Sequence, residues 1–396
     1  MNLFKTMNIL YIGAFRLPNL DAAAPRVLNN AKAMREAGHN VKFISWGGEY
    51  RAEDFCEDGK HRVSGFEYVI SGDLPVGGTV WERLKTKLTR GQKSVKILQH
   101  MEKPDLIILY NADNAFSKKM LSYCSVHKIK LVNDITEWYA NNELHFTDRY
   151  SNFVNMTKTQ HKIQNKIVIS HFLDRYYPES NNIIVPPLCD KSENKWHTAV
   201  DDERVKPFGG ITLIYAGTPA KKDSIHSVIN VVNQLAKDGE KIRFIILGIT
   251  RESYLKRYSE WIRDHDLHEN VIFLGRVSQD SIPAYYKKAD FMVFFREPNR
   301  KSMAGFPTKF AESVTAGIPV ITNSTSDLPM YIVDGQTGFM VDGYSFEDIM
   351  KIMKEKVLML DRDAIERMKA STSALSSLFD YRHYINDFRE FVEKIR

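Results

Sequence analysis

The run Ala304-Gly-Phe-Pro-Thr-Lys-Phe-Ala-Glu312 sets a glycine-containing loop ahead of a helix-forming stretch that stops at Gly317 and feeds the apolar run Ile318–Thr322. The first amides of a helix have no intrahelical acceptor, so such a junction is a ready anion site. Thr308 at the helix entrance can accept and donate, Lys309 adds a point charge, and together they suit a pyrophosphate. Glu312, one turn on, can accept from ribose hydroxyls. The plainer alternative is a capping Thr308 with Lys309 and Glu312 as solvated surface charges.

Three further groups of residues carry candidate chemistry. Ile214-Tyr-Ala-Gly-Thr-Pro-Ala-Lys-Lys-Asp223 is a strand, a turn at Gly217-Thr218, then Lys221 and Lys222 before a helix; the alternative is a pair of exposed loop charges. Asn133-Asp-Ile-Thr-Glu-Trp-Tyr139 leaves a strand and sets Asp134 and Glu137 in a βα loop beside Trp138, where carboxylates can orient sugar hydroxyls or assist proton transfer. Its rival is a helix start stocked with acids that favour the helix dipole, over a buried Trp138. Arg16 in the first βα loop and Arg26 at the following helix start are candidates for binding an acidic acceptor or a phosphate.

These residues need elements to hold them. Short β-rich runs alternate with helical segments along the whole chain, the pattern of parallel βαβ units. A first series has strands at Asn8–Gly13, Val41–Trp46, Asp105–Tyr110, Lys130–Asp134, Lys166–Ser170 and Asn182–Val185, with a helix near Ala24–Ala37. Residues 190–209 are polar and aperiodic and read as a linker. A second series follows at Ile211–Ala216, Ile242–Leu247, Val271–Leu274, Phe291–Phe295, Ile318–Thr322 and Gly338–Val341. From about Ser376 the spacing of Phe379, Tyr384, Phe388 and Phe391 predicts an amphipathic helix that packs back on the first domain. The expected layout is therefore 1–195 with 376–396, and 205–375, two open sheets with ligands beyond the carboxyl ends of their strands, in a cleft between them.

Composition agrees with this: 396 residues exceed one ordinary core, and 43% hydrophobic with 26% charged residues describes a folded chain. Cys56, Cys124 and Cys189 are too scattered for a disulfide framework or a zinc site and read as reduced, buried thiols. The opening residues read as a first strand and not a signal peptide, and no run approaches the roughly 20 apolar residues that span a bilayer. The expectation is a cytoplasmic protein, soluble or peripheral at the inner face of a membrane. The net charge of +6 lies wholly in the first 200 residues and lacks interleaved aromatics, which argues against nucleic acid.

Gly305, Phe306, Glu312, Gly317, Pro319 and Val320 resemble the donor-site signature of family 4 glycosyltransferases, E-G-F-x-x-x-x-x-E followed by A-x-x-x-G-x-P-V. The resemblance runs from the Gly13 strand-turn and the Ala33–Val41 phrase to the Asp334–Gly338 turn. It implies a GT-B fold, two Rossmann-like domains with parallel sheets facing a central cleft. It further implies a retaining transferase that uses a UDP- or GDP-sugar, a glycan or lipid-linked acceptor, and neither metal nor other cofactor.

The resemblance also assigns sites. Lys222, with Lys221 as alternate, would neutralise the donor diphosphate as charge develops on the leaving group. Gly217 and Thr218 would line that turn, Arg276 and Val277 would bracket the nucleobase, and Gly305, Phe306, Pro307, Thr308, Lys309 and Glu312 would complete the donor site. The family's first Glu falls on Ala304, for which Glu297 is a candidate substitute, and Thr218 stands where the family often has Arg. Rival readings are a sugar-nucleotide epimerase of the same fold and a non-catalytic sugar-nucleotide-binding partner. Residues 79–98, with Trp81, Leu84 and Leu88 at helical spacing among Arg83, Lys85, Lys87, Arg90, Lys93 and Lys96, form either an ordinary surface helix or a segment for an anionic membrane surface.

Overall fold

The computed structural model describes residues 5–74, 89–139, 146–219 and 223–395. It divides into two units, one of residues 1–189, 304–306 and 381–396, the other of 190–303 and 307–380.

The first unit is built on an eight-stranded sheet in the order β3-β4-β2-β1-β5-β6-β7-β8. Its strands are β1 Asn8–Leu17, β2 Asn40–Gly48, β3 Arg62–Val63, β4 Phe66–Ile70, β5 Leu106–Tyr110, β6 Lys130–Ile135, β7 Asn165–Val168 and β8 Asn181–Ile184. All neighbours are parallel except the β3–β4 hairpin. Apolar residues from both faces of its central strands enter cores, one on each side of the sheet. Ile9 and Tyr11 of β1 enter one core with Leu106 and Ile108, whereas Leu10 and Ile12 enter the opposite core with Ile107 and Leu109. Gly13 is required by the closeness of β5, because a Cβ there would lie 2.7 Å from the Tyr110 Cβ and carbonyl oxygen.

One core is closed by the helix Ile385–Ile395, whose Phe388, Phe391, Val392 and Ile395 recur at helical spacing and are buried. The expected single helix from Ser376 is corrected. Phe379 stays with the second unit, its ring edge-on to Phe310 at 5.9 Å and tilted against Tyr331 at 5.0 Å, and the chain turns at Asp380 before the helix begins. The β3–β4 hairpin was not anticipated; Ser64 and Gly65, both at positive φ, make its two-residue turn.

In the second unit a six-stranded, wholly parallel sheet runs β11-β10-β9-β12-β13-β14. Its strands are β9 Ile211–Ala216, β10 Ile242–Leu247, β11 Val271–Gly275, β12 Phe291–Val293, β13 Val320–Asn323 and β14 Gly338–Val341. Residues 190–209, expected to be a linker, are docked on this unit. Trp196 and Val205 are buried in short 3-10 turns, Lys287 Nζ donates to the Trp196 carbonyl, and the Tyr285 hydroxyl donates to Asp202 at 2.8 Å. A single Trp anchor leaves no periodic trace in sequence. Two of the cysteines are buried and Cys56 is partly exposed.

Asp134 and Arg26 were expected to be ligand-facing, and the structure corrects both. Asp134 lies on β6, fully buried, and Arg26 on the helix Ala23–Glu36 grips it through Nε at 3.1 Å and Nη2 at 2.7 Å. Arg26 Nη1 donates to the Val185 carbonyl at 2.9 Å, and the Tyr11 hydroxyl donates to Asp134. Both groups are spent on each other because a buried charge needs a partner. Replacing Asp134 with Asn or Ala strands the guanidinium, and urea unfolding of the variant should show a loss of about 3–5 kcal/mol. A loss below 1 kcal/mol would contradict the internal ion-pair reading.

Candidate functional site

In the second unit β9 ends at Ala216 and the chain turns through Gly217, whose φ of +135° disfavours any other residue. The turn is seated from both sides. A Cβ on Gly248 would come within 2.4 Å of the Gly217 carbonyl oxygen, and the Tyr258 hydroxyl donates to the Pro219 carbonyl at 3.0 Å. A Cβ on Gly217 would lie 3.9 Å from Lys309 Nζ, so the turn runs close to that ammonium.

Lys309 belongs to the helix Thr308–Thr315. Thr308 is its first residue, and the alternative reading of a capping Thr308 does not hold: Pro307 takes the cap position and makes no side-chain cap, since it has no group to offer. Lys309 Nζ pairs with Asp223, which is 3% exposed, and donates to the Tyr215 hydroxyl at 3.1 Å. The same carboxylate accepts from Tyr215 at 2.7 Å and from Arg296 Nε at 2.8 Å. Arg296 follows β12, and Asn323 at the end of β13 fixes both its backbone groups, accepting from its N–H at 2.9 Å and donating to its carbonyl at 2.7 Å. Ser224 N–H donates to the Phe295 carbonyl at 2.8 Å, which brings Asp223 to Arg296.

The electrostatics follow from this geometry. Burial pushes the Asp223 carboxyl up, but the Lys309 and Arg296 charges, with hydrogen bonds from Lys309 and Tyr215, outweigh it and hold the group well below the ordinary carboxylate range. Two cations on one carboxylate leave one positive charge in excess at the end of the parallel strands. One turn past Lys309, the partly exposed Glu312 accepts from the Tyr286 hydroxyl at 3.2 Å. Burial raises its carboxyl above the usual value, against the opposing pull of Lys195, Tyr286 and Lys309.

Other expected site residues are placed as follows. Thr218 and Arg276 are exposed and Val277 is partly exposed, while Phe306 and Pro307 are buried and Gly305 is half-buried. Ala304 is fully buried in the first unit, where its carbonyl accepts from Ser170 Oγ at 2.7 Å, a setting hostile to an unpaired carboxylate. Glu137 is partly exposed, and Trp138 is buried against Tyr176 at 4.5 Å. Arg16 was expected in a loop but lies on β1, exposed, because pairing with β2 resumes at Gly47 after a register shift. Lys221, Lys222 and residues 79–88 lie outside the described residues; of the basic segment, Arg90 pairs with Asp113 at 3.0 Å and Lys93 donates to the Gly72 carbonyl. Tyr215, Asp223 and Arg296 were missed. Only the alternation of β12 with a polar loop, placing Arg296 at a strand's carboxyl end, could have signalled them.

Residues 200–372 match the family model described as Glycosyl transferases group 1. That group 1 segment contains β9 to β14 and the Asp223 cluster. Over 210 residues the chain is 31% identical to a GDP-mannose-dependent alpha-(1-6)-phosphatidylinositol monomannoside mannosyltransferase of Mycobacterium tuberculosis, covering 51% of this chain and 53% of that one. The chain thus spans about half the length of the curated relative it matches. Among solved structures it is similar to sucrose-phosphate synthase from Thermosynechococcus elongatus, with a TM-score of 0.73 at 14% identity over 98% of this chain and 99% of that one. It is also similar to Anabaena Alr3699/HepE in complex with UDP and glucose, with a TM-score of 0.69 at 15% identity over 98% and 99%. The fold is GT-B, two α/β units with parallel sheets.

The depressed Asp223 acidity makes a pH prediction. A carboxyl whose folded value lies below its unfolded value of about 3.9 contributes stability that is present at neutral pH and is lost as pH falls below about 5. In urea unfolding, the gap between wild type and Asp223→Asn should be widest near neutrality and shrink steadily below pH 5; a gap that holds constant to pH 3 contradicts the assignment.

Proposed function

We propose that the chain is a retaining glycosyltransferase of family 4, moving a sugar from a UDP- or GDP-linked donor to a glycan or lipid-linked acceptor in surface polysaccharide or glycoconjugate synthesis. The observation that carries this reading is the Gly217 turn with the Lys309 ammonium beside it, inside the segment that matches glycosyl transferases group 1. The GDP-mannose-dependent relative and the HepE complex with UDP and glucose support a nucleotide sugar as donor.

In this reading Gly217 and Thr218 form the floor under the diphosphate, and Lys222, with Lys221 as alternate, neutralises it. The uncapped first amides of Thr308–Thr315, preceded by Gly305 to Pro307, add partial positive charge. Glu312 accepts from the ribose hydroxyls, and Arg276 with Val277 brackets the base. The bond between the anomeric carbon and the phosphate oxygen breaks as the acceptor oxygen bonds to the same face. The acceptor proton passes to the departing phosphate, and cations hold the charge that develops there. Glu137, partly exposed, and Arg16, exposed, are the acceptor-side candidates of the first unit. No helix among the described residues is long and apolar enough to cross a membrane. Contact with an anionic membrane surface through 79–98 belongs to the same proposal.

The buried Ala304, where the family's first Glu would stand, favours a second reading, a sugar-nucleotide-binding partner without turnover. Calorimetry and thermal shift with UDP, GDP, ADP, TDP and their sugar conjugates test the donor site, because a ligand of the folded state raises its stability. One nucleoside diphosphate should bind selectively, and Lys222→Ala and Glu312→Ala should each weaken it by about tenfold or more while the fold survives. Sugar transfer to lipid-linked or glycan acceptors separates the two readings; wild-type affinity in both variants removes the donor-site assignment.

A further inference from the structure

Of the buried arginines of the second unit, Arg243 donates through Nε and Nη1 whereas Arg296 donates through Nε alone. Its residue is 9% exposed, and only Nε is used, on Asp223 at 2.8 Å. Nη1 and Nη2 make no hydrogen bond to any described residue, and neither is sealed from solvent as an unsatisfied buried atom. Arg26 in the first unit gives the contrast, since its Nε, Nη1 and Nη2 all donate to protein oxygens. A largely buried guanidinium whose outer N–H groups have no acceptor among the described residues and are not sealed from solvent can receive an anion through its planar fork.

Its surroundings fix which anion. Asn323 clamps the Arg296 backbone from both sides, and Asp223 holds Nε, so the fork is fixed before any ligand arrives. Asp223 also holds Lys309, whose ammonium lies 3.9 Å from where a Cβ on Gly217 would be. Two cations of different geometry, one planar fork and one point charge, share a single carboxylate, the second of them beside the Gly217 turn. A monoanion is answered by the one net charge; a diphosphate has two phosphoryl groups to divide between two cations.

We propose that Arg296 and Lys309, organised by Asp223, form a two-cation cradle for the donor's diphosphate, with Arg296 a binding residue and Asp223 a positioning residue. The inference rests on the donor reading above and adds to it a guanidinium for the cationic contact that Thr218 does not make. Asp223 supplies order and not attraction, because its own charge opposes an anion. It keeps the two cations, which repel one another, at one place.

The test uses the full chain and the probes UDP, GDP, inorganic pyrophosphate, UMP and GMP in calorimetry, with thermal unfolding as the fold control. Arg296→Gln should lower affinity for the diphosphate that binds and for pyrophosphate on the order of tenfold, and the matching monophosphate by much less. Arg296→Lys keeps the charge but cannot serve Asp223 and a phosphate together, so it should fall between. Asp223→Asn raises the site's net positive charge, yet the preference for diphosphate over monophosphate should drop. Wild-type diphosphate preference in a folded Arg296→Gln or Arg296→Lys protein, or tighter pyrophosphate binding in Asp223→Asn, overturns this inference alone. If wild type binds none of the probes, the donor reading falls and this one with it.

Discussion

A carboxylate taken out of water costs several kcal/mol unless cations and N–H or O–H donors answer it, and each unit places such a group near the carboxyl end of a parallel strand. In the first unit Asp134 is answered by Arg26, Tyr11 and Asn30, and the arrangement is saturated. Sheet and flanking helix are thereby locked at one point, which also reaches the Val185 carbonyl beyond β8. In the second unit Asp223 is answered by Arg296, Lys309 and Tyr215, and positive charge is left over. The same physical demand thus closes one strand-end and leaves the other receptive.

That asymmetry depends on elements far apart in the chain. Asp223 follows β9, Arg296 follows β12, Lys309 sits in the helix after it, and Asn323 ends β13. Adjacent parallel strands β9, β12 and β13 bring their carboxyl ends together, and Gly217 adds no side chain of its own beside Lys309. Ligand sites in open parallel sheets arise at such strand ends for this reason. The order of strands, and not their sequence spacing, makes the cluster.

Legibility from sequence followed the same division. Apolar runs such as Ile211–Ala216 and Ile242–Leu247 marked their strands to the residue, because burial on both faces makes a strand mostly apolar, here broken only by Thr212 and Arg243. The hairpin Arg62–Ile70 escaped, since a two-residue strand has no period and only Ser64-Gly65 announces the turn. Asp134 looked like a loop acid because strand ends and loop starts share composition, and its partner Arg26 lies 108 residues away. Lys309 was legible as a cation at a helix start, but that Asp223 and Arg296 would meet it was not, since no local pattern links residues 86 and 73 positions apart.

The helix Ile385–Ile395 completes a core begun by β1 and the helix Ala23–Glu36, although the whole second unit is inserted between them in sequence. On a ribosome the second unit emerges entire while the first still lacks Phe388, Phe391 and Val392. Synthesis therefore delivers the last piece of the first unit's core only after residues 190–380 have been made.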